Sequence, residues 1–190
     1  MPTLRLRGYS ADAIAVRIGA ATEEYTMPPI VLFGIQFTFC LVIYALIAWW
    51  YVAPRLAVLP REVALVPLVW VHAFRMVGGT ILAPGAVDAA VPMEFRTMIG
   101  YGDMATAVLA LVALLALRAR WSAAIPLVWL FIAVGLLDTV NAIIQSLRFN
   151  VFTYSLGFNW VIVTAYVPAL LVSTALMIIY LRRPSRALGT

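Results

Sequence analysis

The stretch AAIPLVWLFIAVGLLDTVNAII, residues 123–144, decides the fold of this chain. It is almost unbroken in its apolar character, and about 20 such residues in a helix are enough to cross the hydrocarbon core of a bilayer. One aspartate, Asp138, stands inside it. Because a charged side chain in hydrocarbon is costly, it must face the interior of a helix bundle and find a partner there. The stretch therefore predicts a membrane-spanning helix with a polar interior face.

Similar apolar runs lie on both sides of this stretch: Ile30–Val52, Val63–Leu82, Met98–Leu117 and Trp160–Leu181. The chain has 190 residues, of which 65% are hydrophobic and only 11% are charged. Its mean hydropathy is +1.02, and a soluble domain cannot hide that much apolar surface. We therefore predict an all-α fold, an integral membrane bundle of five transmembrane helices.

The bundle is predicted to occupy residues 30–181, between an N-terminal tail (1–29) and a basic C-terminal tail (182–190). In the N-terminal tail, Ser10 can cap a short helix that runs to Ala21 and carries apolar residues on one face. An interfacial helix and a loosely ordered tail are both consistent with this pattern. No room remains for a separate soluble domain.

All thirteen basic residues are arginines, and most of them flank the predicted helices, where they set topology. They do not form a nucleic-acid-binding stripe, so we expect a lipid bilayer and no nucleic acid as the partner. The absence of lysine favours a GC-rich bacterial genome and excludes a retinal Schiff base. Seven arginines flank one side of the predicted bundle and five the other. The positive-inside rule then predicts a multi-pass protein of the bacterial inner membrane, N-terminus out and C-terminus in.

Ionisable residues lie inside three of the predicted helices: His72, Arg75, Asp103 and Asp138. At 1.5 Å per residue, Asp103, Asp138 and Arg75 lie about 7, 9 and 10 Å below the outer ends of their helices, with His72 one turn deeper. More polar residues fall in the same outer half of the bundle: Gln36, Asn141, Thr164 and Tyr166. We call these eight residues the polar layer, and we predict that they form a ligand-binding site.

Spacing within the helices predicts which side chains share an interior face. His72, Arg75 and Gly79 stand at i, i+3 and i+7, and Asp138 and Asn141 begin the same pattern. Small residues that let helices approach closely follow Asp103: Thr106, Ala110 and Ala113. Prolines inside the predicted spans allow local bends: Pro67, Pro126 and Pro168.

Arg75 with Asp103 or Asp138 is either a buried ion pair that fixes helix packing or part of a functional site. Two carboxylates and one arginine are unbalanced, so an aspartate is protonated, His72 is cationic, or a cation or water completes the site. If Arg75 is neutralised structurally, we expect one aspartate to pair with it. The other, which we take to be Asp103 because it is nearer the interface, would be the functional group.

The sequence identifies no cofactor and no metal site. It has a single histidine and a single cysteine, Cys40, so it lacks zinc-ligand spacing, a second haem ligand and a CxxC motif. Phosphate-binding loops and nucleophile elbows are also missing. Catalytic residues therefore stay unassigned.

Between the last two predicted helices, Ser146–Asn159 contains four aromatic residues: Phe149, Phe152, Tyr154 and Phe158. So many aromatic side chains argue against a freely solvated loop, since such residues favour the membrane–water interface. We expect this segment in the outer interface, against the ends of helices three to five.

Four short stretches carry a resemblance: FRMVGG (74–79), EFRTMIGYGD (94–103), GLLDTVNA (135–142) and WVIVTAYVPALL (160–171). They resemble a group of small, uncharacterised bacterial membrane proteins. The resemblance implies a five-helix membrane fold and brings no activity with it.

Three classes of function fit these observations. The first is a polar pocket in the outer half of the bundle that binds or moves a small or lipophilic molecule. The second is an accessory subunit with a purely structural polar layer, which docks onto a membrane complex or onto copies of itself. The third is a membrane-embedded isomerase or hydrolase on a lipid-like substrate, with His72 and a carboxylate as acid and base.

Overall fold

The structure is a computed structural model that describes residues 27–183, so the predicted interfacial helix at Ser10–Ala21 lies outside the described residues. This part of the chain is all α. Its long helices are α1 (Pro29–Ala57), α2 (Arg61–Leu82), α3 (Met93–Arg118), α4 (Ala124–Arg148) and α5 (Asn159–Leu181). Each is long and apolar enough to cross a membrane. The prediction of an all-α fold with five such helices is confirmed.

Three helices extend beyond the predicted spans by at least four residues at one end. α1 ends at Ala57 rather than Val52, α3 begins at Met93 rather than Met98, and α4 ends at Arg148 rather than Ile144. The added turns contain charged residues such as Arg55, Glu94 and Arg148, which a hydropathy criterion leaves out of a span. A helix does not have to end where its apolar run ends.

The helices form a curved row in the order α1, α5, α2, α3, α4. α1 packs on α5, α5 on α2, α2 on α3, and α3 on α4. α1 and α4 are therefore the two ends of the row rather than packed neighbours. We call the end of the bundle at which α1 begins the upper end.

The lower half of the bundle holds an apolar core built mainly from α2, α3, α4 and α5, with Leu56 from α1. Ala110 and Ala113 of α3 are completely buried there, and Thr106 just above them is buried as well. This agrees with the small-residue strip expected on α3, which lets α2 and α4 approach closely. Above this core lie the charged residues Arg75, Asp103 and Asp138.

The second half of α2, Phe74–Leu82, is a 3-10 helix. Its buried residues are Arg75, Gly78 and Ile81, which fit the period of three residues per turn. We expected Gly79 to share a face with Arg75, and this is wrong because that expectation assumed α-helical spacing. Gly78 occupies the interior position instead.

The connection between α4 and α5 packs over the upper end of the bundle. Asn150 adopts a left-handed conformation (φ 48°), which asparagine tolerates well, and turns the chain back after α4. Val151 and Leu156 are buried, and the ring of Phe152 lies 4.7 Å from that of Phe33 in α1. This segment therefore closes the upper end of the space between the helices.

Candidate functional site

Arg75 holds two carboxylates that come from different helices. Its Nε donates to Oδ1 of Asp103 at 2.5 Å, and one Nη donates to Oδ2 of Asp138 at 2.6 Å. The guanidinium also donates to the carbonyl of Gly135 (3.3 Å) and to the hydroxyl of Thr139 (3.2 Å). We expected only one aspartate to pair with Arg75, and this is wrong because a guanidinium has enough donors, in a fixed fork, for both. We call Arg75, Asp103 and Asp138 the ion triad.

Glycines make room for the ion triad between α2, α3 and α4. A Cβ atom on Gly78 would lie 1.8 Å from an oxygen of Asp103, and one on Gly102 would lie 1.9 Å from an oxygen of Asp138. The guanidinium of Arg75 in turn donates to the backbone carbonyl of Gly135 on α4. The charges therefore lie where glycines leave room for carboxylates between neighbouring helices.

A cavity of about 330 Å³ lies above the ion triad, in the space that the curved row of helices leaves open. Arg75, Asp103 and Thr139 form its lower end. Its walls are apolar and come from different helices, as in Phe33, Phe37, Ile99, Ile143 and Val163. This main cavity has the size and the mainly apolar character of small-molecule sites in proteins.

Asn159 adds a polar group to the wall of the main cavity. It is 5% exposed, and its Oδ1 accepts a hydrogen bond from the hydroxyl of Thr80 at 3.3 Å. Its Nδ2 is buried without a hydrogen-bond partner. Buried donors are usually paired, so the unpaired Nδ2 of Asn159 is an exception in the wall of the main cavity.

His72 lies next to the ion triad but not in the main cavity. Its Nε2 is 3.4 Å from the hydroxyl of Thr174, and its ring packs edge-on against Phe131 with 5.0 Å between centroids. A gap of about 10 Å³ separates it from Arg75 and Thr139, which is too small for a ligand. Among the described residues His72 therefore makes no hydrogen bond or ion pair with either carboxylate, and its Nδ1 is buried without a hydrogen-bond partner.

Three other predicted site residues make hydrogen bonds away from the ion triad, one between helices and two within a helix. Oε1 of Gln36 accepts from the indole N–H of Trp160 at 2.7 Å, which links α1 to α5. Thr164 donates to the carbonyl of Trp160 within α5, and Oδ1 of Asn141 accepts from Gln145 within α4. These three side chains make local contacts rather than contacts with the ion triad.

Tyr166 lies outside the main cavity and hydrogen-bonds to the helix that carries Arg75. Its hydroxyl donates to the carbonyl of Val71 at 2.5 Å, close to the point where α2 changes from α to 3-10 hydrogen bonding. This hydrogen bond links α5 to the backbone of α2 just before the 3-10 segment that carries Arg75. Tyr166 itself belongs to a π-helical segment, Ile162–Tyr166, which comes just before Pro168.

Sequence reasoning missed Thr139, Gly135 and Asn159. Thr139 follows directly after Asp138, and Asn159 is the last residue of the segment Ser146–Asn159 that the sequence predicts between the last two helices. The available signal was the pair of glycines at 102 and 135, since small residues mark close helix contacts. Across residues 27–183, no three His, Cys, Asp or Glu side chains lie close enough together to hold a metal ion.

Five helices of membrane-spanning length and an ion triad between them define an all-α fold compatible with a multi-pass membrane protein. The chain belongs to the family described as a domain of unknown function, DUF8737, which matches residues 32–182. No curated protein and no solved structure matches the chain. Membership in this family agrees with the resemblance to uncharacterised proteins and assigns no activity.

Proposed function

We propose that the chain is a multi-pass protein of the bacterial inner membrane, N-terminus out and C-terminus in, that binds a small amphipathic molecule in the main cavity. The observation that carries the proposal is the main cavity itself, with apolar walls and Asp103 at its lower end. Apolar walls accommodate a hydrocarbon tail, and a few polar groups at one end fix its orientation.

The rim of the main cavity supports access from the bilayer. Ile143 and Leu147 of α4 belong to its lining and are 57% and 64% exposed, and Ile30 of α1 is 46% exposed. Residues that line a cavity and also face outward mark its opening. The opening lies between α1 and α4, so a lipophilic molecule can enter sideways from the hydrocarbon.

The charge of the ion triad also favours a binding role. One arginine and one aspartate would be enough for a structural ion pair, yet the triad has a second carboxylate, and buried charges are costly. Asp103 lines the main cavity. The carboxylate of Asp138, on α4, instead lies against Gly102 of α3. We assign ligand contact to Asp103 and a structural role to Asp138.

One observation favours the accessory-subunit alternative. None of the most apolar window of α1 is buried, and side chains such as Phe39 (65% exposed) project away from the bundle. Lipid or another protein would cover this face. Stoichiometric copurification with a partner subunit, together with an unlabelled main cavity, would favour the alternative. No specific observation favours the enzyme alternative, because the hydrogen-bond partner of the His72 ring is Thr174 rather than an aspartate.

Photolabelling tests the proposal. The probe is a ten-carbon alcohol with a diazirine on its chain, added to the protein in nanodiscs, and labelling is read on the α4 peptide that contains Ile143. Val163→Trp fills the main cavity, and Val161→Trp, at a residue that is 51% exposed, is the matched control. We expect labelling of the wild type and of V161W, and most of it lost in V163W. Equal labelling of all three proteins would contradict binding in the main cavity.

A further inference from the structure

Asp103 of α3 and Asn159 of α5 both line the main cavity, and both contact the 3-10 segment of α2. The hydroxyl of Thr80 donates to Oδ1 of Asn159, and Gly78 lies under the carboxylate of Asp103. These two positions are about 4 Å apart along the axis of the 3-10 helix, although they project in different directions. Because Asp103 and Asn159 both line the main cavity, one ligand can contact both side chains.

The two side chains offer complementary hydrogen-bonding groups. Asn159 presents an unpaired donor, Nδ2, and is 5% exposed. Asp103 presents a carboxylate whose side chain is 17% exposed, and an ionised carboxylate only accepts hydrogen bonds. The head group that satisfies both must donate in one direction and accept in the other.

The charge of the ion triad further limits which head groups can bind. With both aspartates ionised, the ion triad carries a net charge of −1, so an anionic head would place another negative charge beside Asp103. An ammonium head has donors only and leaves Nδ2 of Asn159 unpaired. A hydroxyl group is uncharged, donates one hydrogen bond and accepts others.

We infer that the main cavity selects an uncharged, hydroxyl-bearing head group on an apolar tail, with Asp103 accepting a hydrogen bond from it and Asn159 donating one to it. The inference rests on the proposed function, because it specifies which molecule the main cavity binds. It excludes fatty-acid carboxylates and phosphate-headed lipids as preferred ligands.

Competition against the photoprobe tests this selectivity on the wild-type protein. The competitors are decanol, decyl sulfate and decylamine, which share one tail, and each concentration is expressed as its mole fraction in the nanodisc bilayer. We expect decanol to compete at least about tenfold better than either ion. If the main cavity is labelled but decyl sulfate or decylamine competes as well as decanol, the inference fails and the proposed function stands. If the main cavity is not labelled, both fail.

Substitutions at Asn159 and Asp103 test which side chain determines this selectivity. Asn159→Leu removes the donor and should weaken competition by decanol about three- to tenfold, the range expected for one hydrogen bond. Gln145→Leu, an amide-to-leucine change on α4 away from the ion triad, is the matched control and should leave competition unchanged. Asp103→Asn removes one negative charge and should improve competition by decyl sulfate. Unchanged competition in N159L would overturn the role of Asn159 even if D103N fails to fold.

Discussion

The carboxylate of Asp103 occupies the place that a side chain on Gly78 would need, with 1.8 Å between the position of a Cβ at 78 and Oδ2 of Asp103. Gly102 and Asp138 repeat the relationship one helix further along the row, at 1.9 Å. Close helix packing and the ion triad therefore depend on each other. Any atom added at these glycines must displace a carboxylate that Arg75 holds.

Replacing Gly78 or Gly102 with alanine should lower the thermal stability of the protein in detergent. Overpacking a close contact costs about 1–3 kcal/mol, and here it also disturbs a buried ion pair. Gly34→Ala is the matched control, because a Cβ at this helical position meets nothing within 4 Å. Alanine favours a helix by about 0.5–1 kcal/mol over glycine, so G34A should be neutral or stabilising. Equal effects at all three positions would contradict the packing described for the ion triad.

Replacing Arg75 with leucine should lower stability sharply, because two buried carboxylates then lose their partner. Removal of one partner of a buried pair costs about 3–5 kcal/mol in soluble proteins, and less is expected when the unfolded reference state is also in a membrane. Arg118→Leu, at an exposed arginine, is the control for loss of a positive charge. Arg75→Lys should rescue only part of the loss, since one ammonium cannot reproduce the guanidinium fork. Thermal unfolding of R75L that matches R118L would contradict a structural role for Arg75.

Much of the fold could be predicted from the sequence because apolar runs of membrane-spanning length leave few alternatives to helices. Residue counting along the predicted helices also puts Arg75, Asp103 and Asp138 at one depth, and the structure brings them together. It could not show that both carboxylates contact Arg75, since helix order and rotation determine which side chains meet. The change to 3-10 pairing at Phe74 moved the interior position from Gly79 to Gly78, and no spacing rule indicates such a change. The main cavity depends on which helices do not touch, and hydropathy carries no such information.

Tyr166→Phe should destabilise the protein by about 0.5–1.5 kcal/mol, the usual net contribution of one hydrogen bond. The hydroxyl that it removes donates to the carbonyl of Val71, beside the start of the 3-10 segment that carries Arg75. Tyr101→Phe, at a residue that is 62% exposed, is the control. The measurement is thermal unfolding of both variants in the same detergent. Identical midpoints would show that this hydrogen bond does not support the turn in α2.

Asp103→Asn and Asp138→Asn should separate binding from packing. Both contact Arg75, so double-mutant cycles with Arg75→Leu should show coupled losses of stability for each aspartate. Only Asp103 lines the main cavity, so we expect D103N to change photoprobe labelling and D138N to leave the labelling of folded protein unchanged. Strongly coupled losses at both positions with unchanged labelling would make the ion triad a structural lock and favour the accessory-subunit alternative.

The predicted orientation can be tested with reporter fusions placed after Thr190. Seven arginines against five favour a cytoplasmic C-terminus, so a reporter that is active only in the cytoplasm should be active. A reporter that works only in the periplasm should be silent at the same position. The opposite pair of results would reverse the orientation and leave the ion triad and the main cavity unchanged.

An experimental density map of the protein purified in nanodiscs is the most direct test of ligand binding in the main cavity. We predict elongated density between α1 and α4, with one end within hydrogen-bonding distance of Asp103 and Asn159. The tail of this density should follow the apolar wall toward the opening beside Ile143. A map in which α1 and α4 pack together and close the main cavity, with Asp103 and Asp138 contacting only Arg75, would contradict the proposed function.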